Sequence, residues 1–278
     1  MSDNPIPTSF DTTIGSKKPD PILIVDAMTR TFGGLCAVDI DHLEVQRGII
    51  TAFIGPNGAG KTTLFNLITG FDKPNNGSWV FNTSSLAGKP PHLIAQAGMV
   101  RTFQLTKSLA KMTVLDNMLL GASKQRGELL RYALFRPQWQ KQETEVLEKA
   151  GNLLERFNLN HMRDEYAATL SGGQRKLLEM ARALMSEPSL ILLDEPMAGV
   201  NPALVQSLLK HIEGLRDSGV SVLFIEHDMD VIMGISDWIV VLAEGKVIAE
   251  GTPTDVSKNP AVIDAYLGNV VAEELKDV

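Results

Sequence analysis

The chain has 278 residues, 44% of them hydrophobic and 21% charged, enough to bury a substantial core in one large domain or two small ones. A formal net charge of −7 argues against a nucleic-acid binder and against attraction to anionic lipid by bulk charge. No stretch reaches the ~18 to 20 uninterrupted apolar residues needed to cross a bilayer, so the chain is expected not to span one.

Residues 1–21 hold four prolines among Ser, Thr and Asp and lack the basic start and apolar stretch of a signal peptide, and they are read as a mobile extension. From Pro21 to about Val100, short β-branched segments at 22–25, 49–54 and 78–81, separated by glycine turns, predict a sheet-based half. Cys36 is the single cysteine, which suits a reducing compartment, and it is read as a small core residue. After Gln104 the periodicity turns helical. Thr113 is placed to cap a helix over about 114–122, with Asp116 in its first turn. Val146, Leu147, Ala150, Leu153, Leu154 and Phe157 recur at helical spacing and mark a second helix. Residues of about 105–170 are therefore read as a helical insert. Near-continuous apolar runs at 190–193 and 220–225 then flank a helix from Pro202 to about Arg216, begun by the Asn201-Pro202 pair. The whole reads as a parallel α/β core interrupted by a helical subdomain.

Three segments carry chemistry. Gly55, Pro56, Asn57, Gly58, Ala59, Gly60, Lys61 and Thr62 match GxxxxGK[ST] between a predicted strand and a predicted helix. Glycines let backbone amides close around phosphate oxygens, Lys61 reaches the terminal phosphates, the Thr62 hydroxyl suits Mg²⁺ and Thr63 adds a donor. By itself this loop leaves kinases, GTPases and motors open. Asp194 and Glu195 close the apolar run at 190–193, where one acid can hold Mg²⁺ while the other orients and deprotonates an attacking water. Leu170, Ser171, Gly172, Gly173 and Gln174 open a helix whose apolar stripe is Leu177, Leu178, Ala181, Leu184 and Met185, which makes a second anion site.

In their order, GPNGAGKTT, Gln104, LSGGQ, LILLDEP and His227 resemble an ABC-transporter ATPase over roughly residues 22–268, leaving 269–278 as a tail. The resemblance implies an α/β P-loop NTPase core with an antiparallel β subdomain and an inserted helical subdomain, binding ATP and Mg²⁺. It implies that the signature of one protomer completes the P-loop site of another, which accounts for two anion sites in one chain. It also implies stacking of Phe32 on adenine, a contact of Gln104 with Mg²⁺ and the attacking water, and a bond from His227 to the γ-phosphate. Asn201 stands where many members carry an aspartate; it keeps an acceptor and loses a charge. His42, His92, His161 and His211 have no such register and are read as surface or core.

FGGLCAVD at 32–39, VRTFQ at 100–104, EHDMDVIMGISD at 226–237 and AYLG at 265–268 more closely resemble the ATPase subunits of branched-chain amino acid importers. The partners so implied are a second ATPase subunit, as a homodimer or, favoured in the complete transporter, a heterodimer, together with integral-membrane permease subunits. The location so implied is peripheral, on the cytoplasmic face of the inner (plasma) membrane. ATPases of urea or short-amide importers and of lipopolysaccharide exporters share much of the pattern. A soluble, non-transport ABC ATPase would be expected to add a second cassette, coiled coils or zinc inserts, and a non-catalytic regulator to lack Glu195 or His227. Residues 107–113, beside Gln104, are expected to dock a permease helix. The basic and aromatic stretch 124–141 is read as a solvated, partly permease-facing part of the insert.

Overall fold

The structure, a computed structural model, describes residues 11–102, 109–122 and 136–266. Gln104, most of the stretch 124–141 and the end of AYLG lie outside the described residues, as do the side chains at 136–141.

Strands β1 (Pro21–Phe32), β2 (Leu35–Gln46), β4 (Asn76–Phe81) and β5 (Ser84–Ser85) form an antiparallel sheet in the order β2-β1-β4-β5. The second sheet runs β10-β9-β3-β8-β7-β6, from β3 (Ile50–Ile54), β6 (Met99–Arg101), β7 (Leu190–Asp194), β8 (Ser221–Ile225), β9 (Trp238–Ala243) and β10 (Lys246–Gly251). It is parallel except for the β9–β10 hairpin. The segment 21–101, expected as one sheet-based half, thus divides between two sheets, because β3 and β6 pair with strands that come much later in the chain, Ile50 with Val222 and Met99 with Leu190.

Side-chain alternation explains why β3, β7, β8 and β9 read as unbroken apolar runs. Phe53, Leu192, Leu223, Ile225, Val240 and Leu242 point into a layer shared with β1, β2, β4 and helix α1 (Lys61–Ile68). Ala52, Ile54, Ile191, Leu193, Phe224 and Val241 point the opposite way. That second layer is closed by α3 (Val114–Leu119), α4 (Arg136–Arg156), α5 (Gly172–Leu184), α6 (Pro202–Asp217) and α7 (Met229–Ile235), while α2 (Pro91–Gln96) lies before β6.

The helical insert is bounded by local chemistry. Thr113 accepts the Asp116 amide at 3.0 Å and starts α3, which ends at Leu119 rather than near 122. Ala150, Leu154 and Phe157 of the expected stripe are fully buried. Asn117, also fully buried, accepts the Leu109 amide at 2.9 Å and donates to the Thr113 carbonyl at 2.9 Å, which pins the loop before α3. Among the described residues no helix is long and apolar enough to cross a membrane.

One sequence expectation changes. Cys36 is exposed rather than core. It lies at the β1–β2 hairpin end, past a register shift after Arg30 and beyond Thr29, the last β1 residue paired to β4, so no neighbouring strand covers it. Within the segment 1–21, which composition reads as a mobile extension, Gly15 and Lys18 are bonded to the body. The Glu250 carboxylate accepts the Gly15 amide at 2.7 Å, the Lys18 amine at 2.8 Å and the Trp238 indole at 3.0 Å, with the Lys18 and Glu250 side chains both 1% exposed. Lys18 Nζ also sits 4.2 Å from the Trp238 ring. Burying a cation is tolerable only with such partners, so Glu250→Ala is expected to cost about 3 kcal/mol and lower Tm by roughly 6 to 12 °C. Thermal unfolding followed by circular dichroism checks this, and an unchanged Tm would show that the pair is dispensable.

Candidate functional site

The parallel strands of the second sheet release their C-terminal ends on one edge, the usual place for a ligand site in an α/β sheet. β3 delivers Gly55–Gly60, β8 delivers Glu226 and His227, and β7 delivers Asp194 and Glu195. Because β3, β8 and β7 are adjacent, residues from three distant parts of the chain line up there.

The loop after β3 has a backbone that only glycine suits at its ends. Gly60 caps α1 with φ 97°, and a Cβ there would lie 2.2 Å from the Ala37 carbonyl oxygen. At Gly55 a Cβ would lie 2.0 Å from the Leu242 carbonyl oxygen. Lys61, the first residue of α1, folds back so that Nζ donates to the Gly55 and Pro56 carbonyls at 2.6 and 2.9 Å. Burial holds its amine below the ordinary lysine range, an effect that the nearby Glu195 and Asp194 carboxylates oppose. Asn57, Gly58 and Thr62 are exposed, Ala59 is buried and Thr63 is half-buried.

Asp194 is buried, and its Oδ2 accepts Arg101 Nη2 at 2.6 Å. Arg101 Nη1 donates to Asn66 Oδ1 at 2.6 Å, so one guanidinium ties β6 to α1 as well as to the acid on β7. Glu195 follows with φ +48°, a left-handed conformation uncommon for a non-glycine residue and typical of strain held at functional sites. Its amide donates to the Ile225 carbonyl at 3.0 Å, locking the turn onto β8. Glu226 is buried; its carboxylate accepts the Met197 amide at 2.8 Å and the His227 amide at 3.3 Å. Desolvation pushes the Glu226 carboxyl above the usual range against those two bonds. The His227 ring stands 72% exposed, 3.7 Å from Glu226 Oε2, open to a ligand over the sheet edge.

Phe32 ends β1 and is 47% exposed, with the Arg30 guanidinium 4.5 Å from its ring. Its hairpin leads into Ala37, the residue against Gly60, so an aromatic face stands beside the loop. The segment Ser171 to Gln174 lies elsewhere: it opens α5, which packs on the sheet face opposite α1. Ser171 Oγ accepts the Gln174 amide and Gln174 Oε1 accepts the Ser171 amide at 2.9 Å, a capping box that leaves Ser171 and Gly172 exposed. The four other histidines lie apart from these strand ends: His42 pairs with Asp26 at 2.6 Å, His211 stacks on Phe157 at 4.3 Å, and His92 and His161 are exposed.

Four functional neighbours escaped the sequence reading. Arg101 sits inside the quoted VRTFQ and Glu226 beside His227, so both were in view without a role. Lys176 donates to the carbonyls of Glu195, Pro196 and Ala198 at 3.1, 2.9 and 2.6 Å. Burial raises the Tyr266 phenol above the ordinary value, an effect that the Gly55 backbone opposes. Nothing local in the sequence announces either contact.

The donor set suits a hard cation, with the Thr62 hydroxyl on α1 and the Asp194 carboxylate on β7. Among the described residues no three His, Cys, Asp or Glu side chains gather as a cage. A cation here would draw most of its ligands from phosphate and water, the habit of Mg²⁺, and would compete with Arg101 for Asp194.

Fold and site together define a P-loop nucleotide-binding cassette. The ABC transporter family model matches residues 38–198, and that of the branched-chain amino acid ATP-binding cassette transporter matches residues 246–272. The chain belongs to the ABC transporter family, among its ATP-binding cassettes. It is 44% identical over 247 residues, 89% of this chain and 95% of the relative, to a probable branched-chain amino acid transport ATP-binding protein of Archaeoglobus fulgidus. It is 43% identical to a high-affinity branched-chain amino acid transport ATP-binding protein of Pseudomonas aeruginosa, covering 89% and 98% of the two chains. The crystal structure of the ADP conformation of an ATP-binding cassette of an ABC transporter superposes with TM-score 0.77 at 40% identity, over 89% of this chain and 99% of that one.

Proposed function

We propose that this chain hydrolyses ATP and powers the uptake of branched-chain amino acids, as one of two ATPase subunits bound to membrane permeases on the cytoplasmic face. The reading is carried by the likeness, along almost nine-tenths of the chain, to ATP-binding proteins named for branched-chain amino acid transport.

The residues divide the labour. Loop amides and Lys61 cradle the β- and γ-phosphates, Phe32 stacks on the base, and Thr62 and Asp194 would hold Mg²⁺, which would supply positive charge against the phosphates. Glu195 accepts a proton from the attacking water, and His227 donates to the γ-phosphate. Ser171 and the Gly172 and Gly173 amides serve the partner's nucleotide, which fits the exposure of Ser171 and Gly172 away from this chain's own loop. A permease element is expected against the cleft of about 370 Å³ lined by Val100, Thr102, Leu120, Gly121 and Arg182. Leu120, on its lining, exposes 56% of its surface.

A deletion strain without redundant importers tests the reading. Leucine, isoleucine and valine uptake should fall and return with the intact gene. Unchanged uptake of all three would move the assignment to urea, amides or lipid export.

A further inference from the structure

The geometry points to Lys176 as a positioning residue for hydrolysis, one that ties the Ser171-bearing helix to the turn that carries Glu195. Three carbonyls of that turn, those of residues 195, 196 and 198, converge on one amine at 2.6 to 3.1 Å. A lysine ammonium has three protons, so this contact uses its full donor capacity. The turn needs an anchor. Glu195 sits at φ +48°, a conformation that relaxes unless its surroundings hold it; inside the turn the Ala198 amide donates to the Glu195 carbonyl at 3.2 Å and the Val200 amide to the Met197 carbonyl at 3.1 Å.

The opposite side of the turn is held as well. The Met197 amide donates to buried Glu226 at 2.8 Å, and Glu226 also accepts the amide of His227. The turn is therefore gripped between a cation on its carbonyls and a carboxylate on its amide. Burial lowers the Lys176 amine from its ordinary range, and Glu226, Glu179 and Glu195 oppose that effect.

Lys176 lies five residues after Ser171 on α5, within two turns of the same helix. A shift of Ser171 on engaging a partner's nucleotide therefore carries the Glu195 turn with it. Since reacting groups must be held to within a fraction of an ångström, a loosened turn should slow the chemical step and leave binding alone.

This inference rests on Glu195 acting as the base, and the test separates the two ideas. Lys176→Met is expected to lower kcat about tenfold or more with KM for ATP and fluorescent-nucleotide affinity within about twofold of the parent. Lys176→Arg, which keeps the charge and several donors, should recover part of kcat, and Lys176→Gln, which is one bond shorter and keeps one donor group without the charge, serves if the methionine variant does not fold. In a Glu195→Gln background the Lys176→Met change should lower turnover no further. A parental kcat in soluble Lys176→Met, or an equal drop in both backgrounds, would overturn the positioning role. A parental rate in Glu195→Gln alone would instead strike the assignment of the base.

Discussion

Replacing Glu195 with glutamine is expected to lower ATP turnover by roughly 10² or more while ATP still binds, since a positioned base is worth about that much. The exchange keeps size and hydrogen bonding and removes only the proton acceptor. The turn should survive it, because its anchors are backbone atoms: the Glu195 amide on Ile225 and the Glu195 carbonyl on Lys176. With Lys61, Thr62 and Phe32 untouched, the variant should gather as an ATP-bound dimer. Sedimentation with and without Mg²⁺-ATP reads the second effect, and steady-state hydrolysis the first. Turnover near the parental rate at saturating Mg²⁺-ATP would show that another group takes the proton.

Lys61→Ala should act on the other half of the cycle. The amine makes charge-assisted bonds, each worth about 1.5 to 3 kcal/mol, so losing its contact with the terminal phosphates should weaken ATP binding by about 10 to 10². Its partners here are the Gly55 and Pro56 carbonyls, which means that the cation is already held at the loop and need only exchange oxygens. Burial disfavours the charged amine, and phosphate oxygens would favour it, so binding should draw on that difference. Calorimetric titration with ATP decides the matter; a parental Kd in a folded variant would remove Lys61 from the phosphate site.

Legibility in the sequence followed the range of the interactions. The loop at 55–62 and the Ser171 cap were readable because glycine at a turn, a helix start and a capping box are all settled within a few residues. The strands at 190–194 and 221–225 were readable because both faces of a central parallel strand are buried. Glu250 was not, since its meaning depends on Lys18, 232 residues away, and a proline- and serine-rich start looks mobile from composition alone. Cys36 was misjudged because a register shift in the β1–β2 hairpin and the short reach of β4 decide its exposure. Lys176 escaped because three backbone carbonyls, which leave no mark in a sequence, give it its role.

The strand order also governs how the chain comes into being on a ribosome. Ile50 of β3 pairs with Val222 of β8, and the other neighbour, β9, is later still. Between synthesis of β3 and the arrival of its first partner some 170 residues must be made, which at ordinary elongation rates takes roughly 10 to 30 s. For that interval a strand that is buried along its whole length in the finished core has neither flank, and loop closure over so long a span is slow. The nascent N-terminal half must therefore be sheltered, by the antiparallel β1–β2–β4 unit folding first or by a chaperone, until nearly the whole protein has emerged.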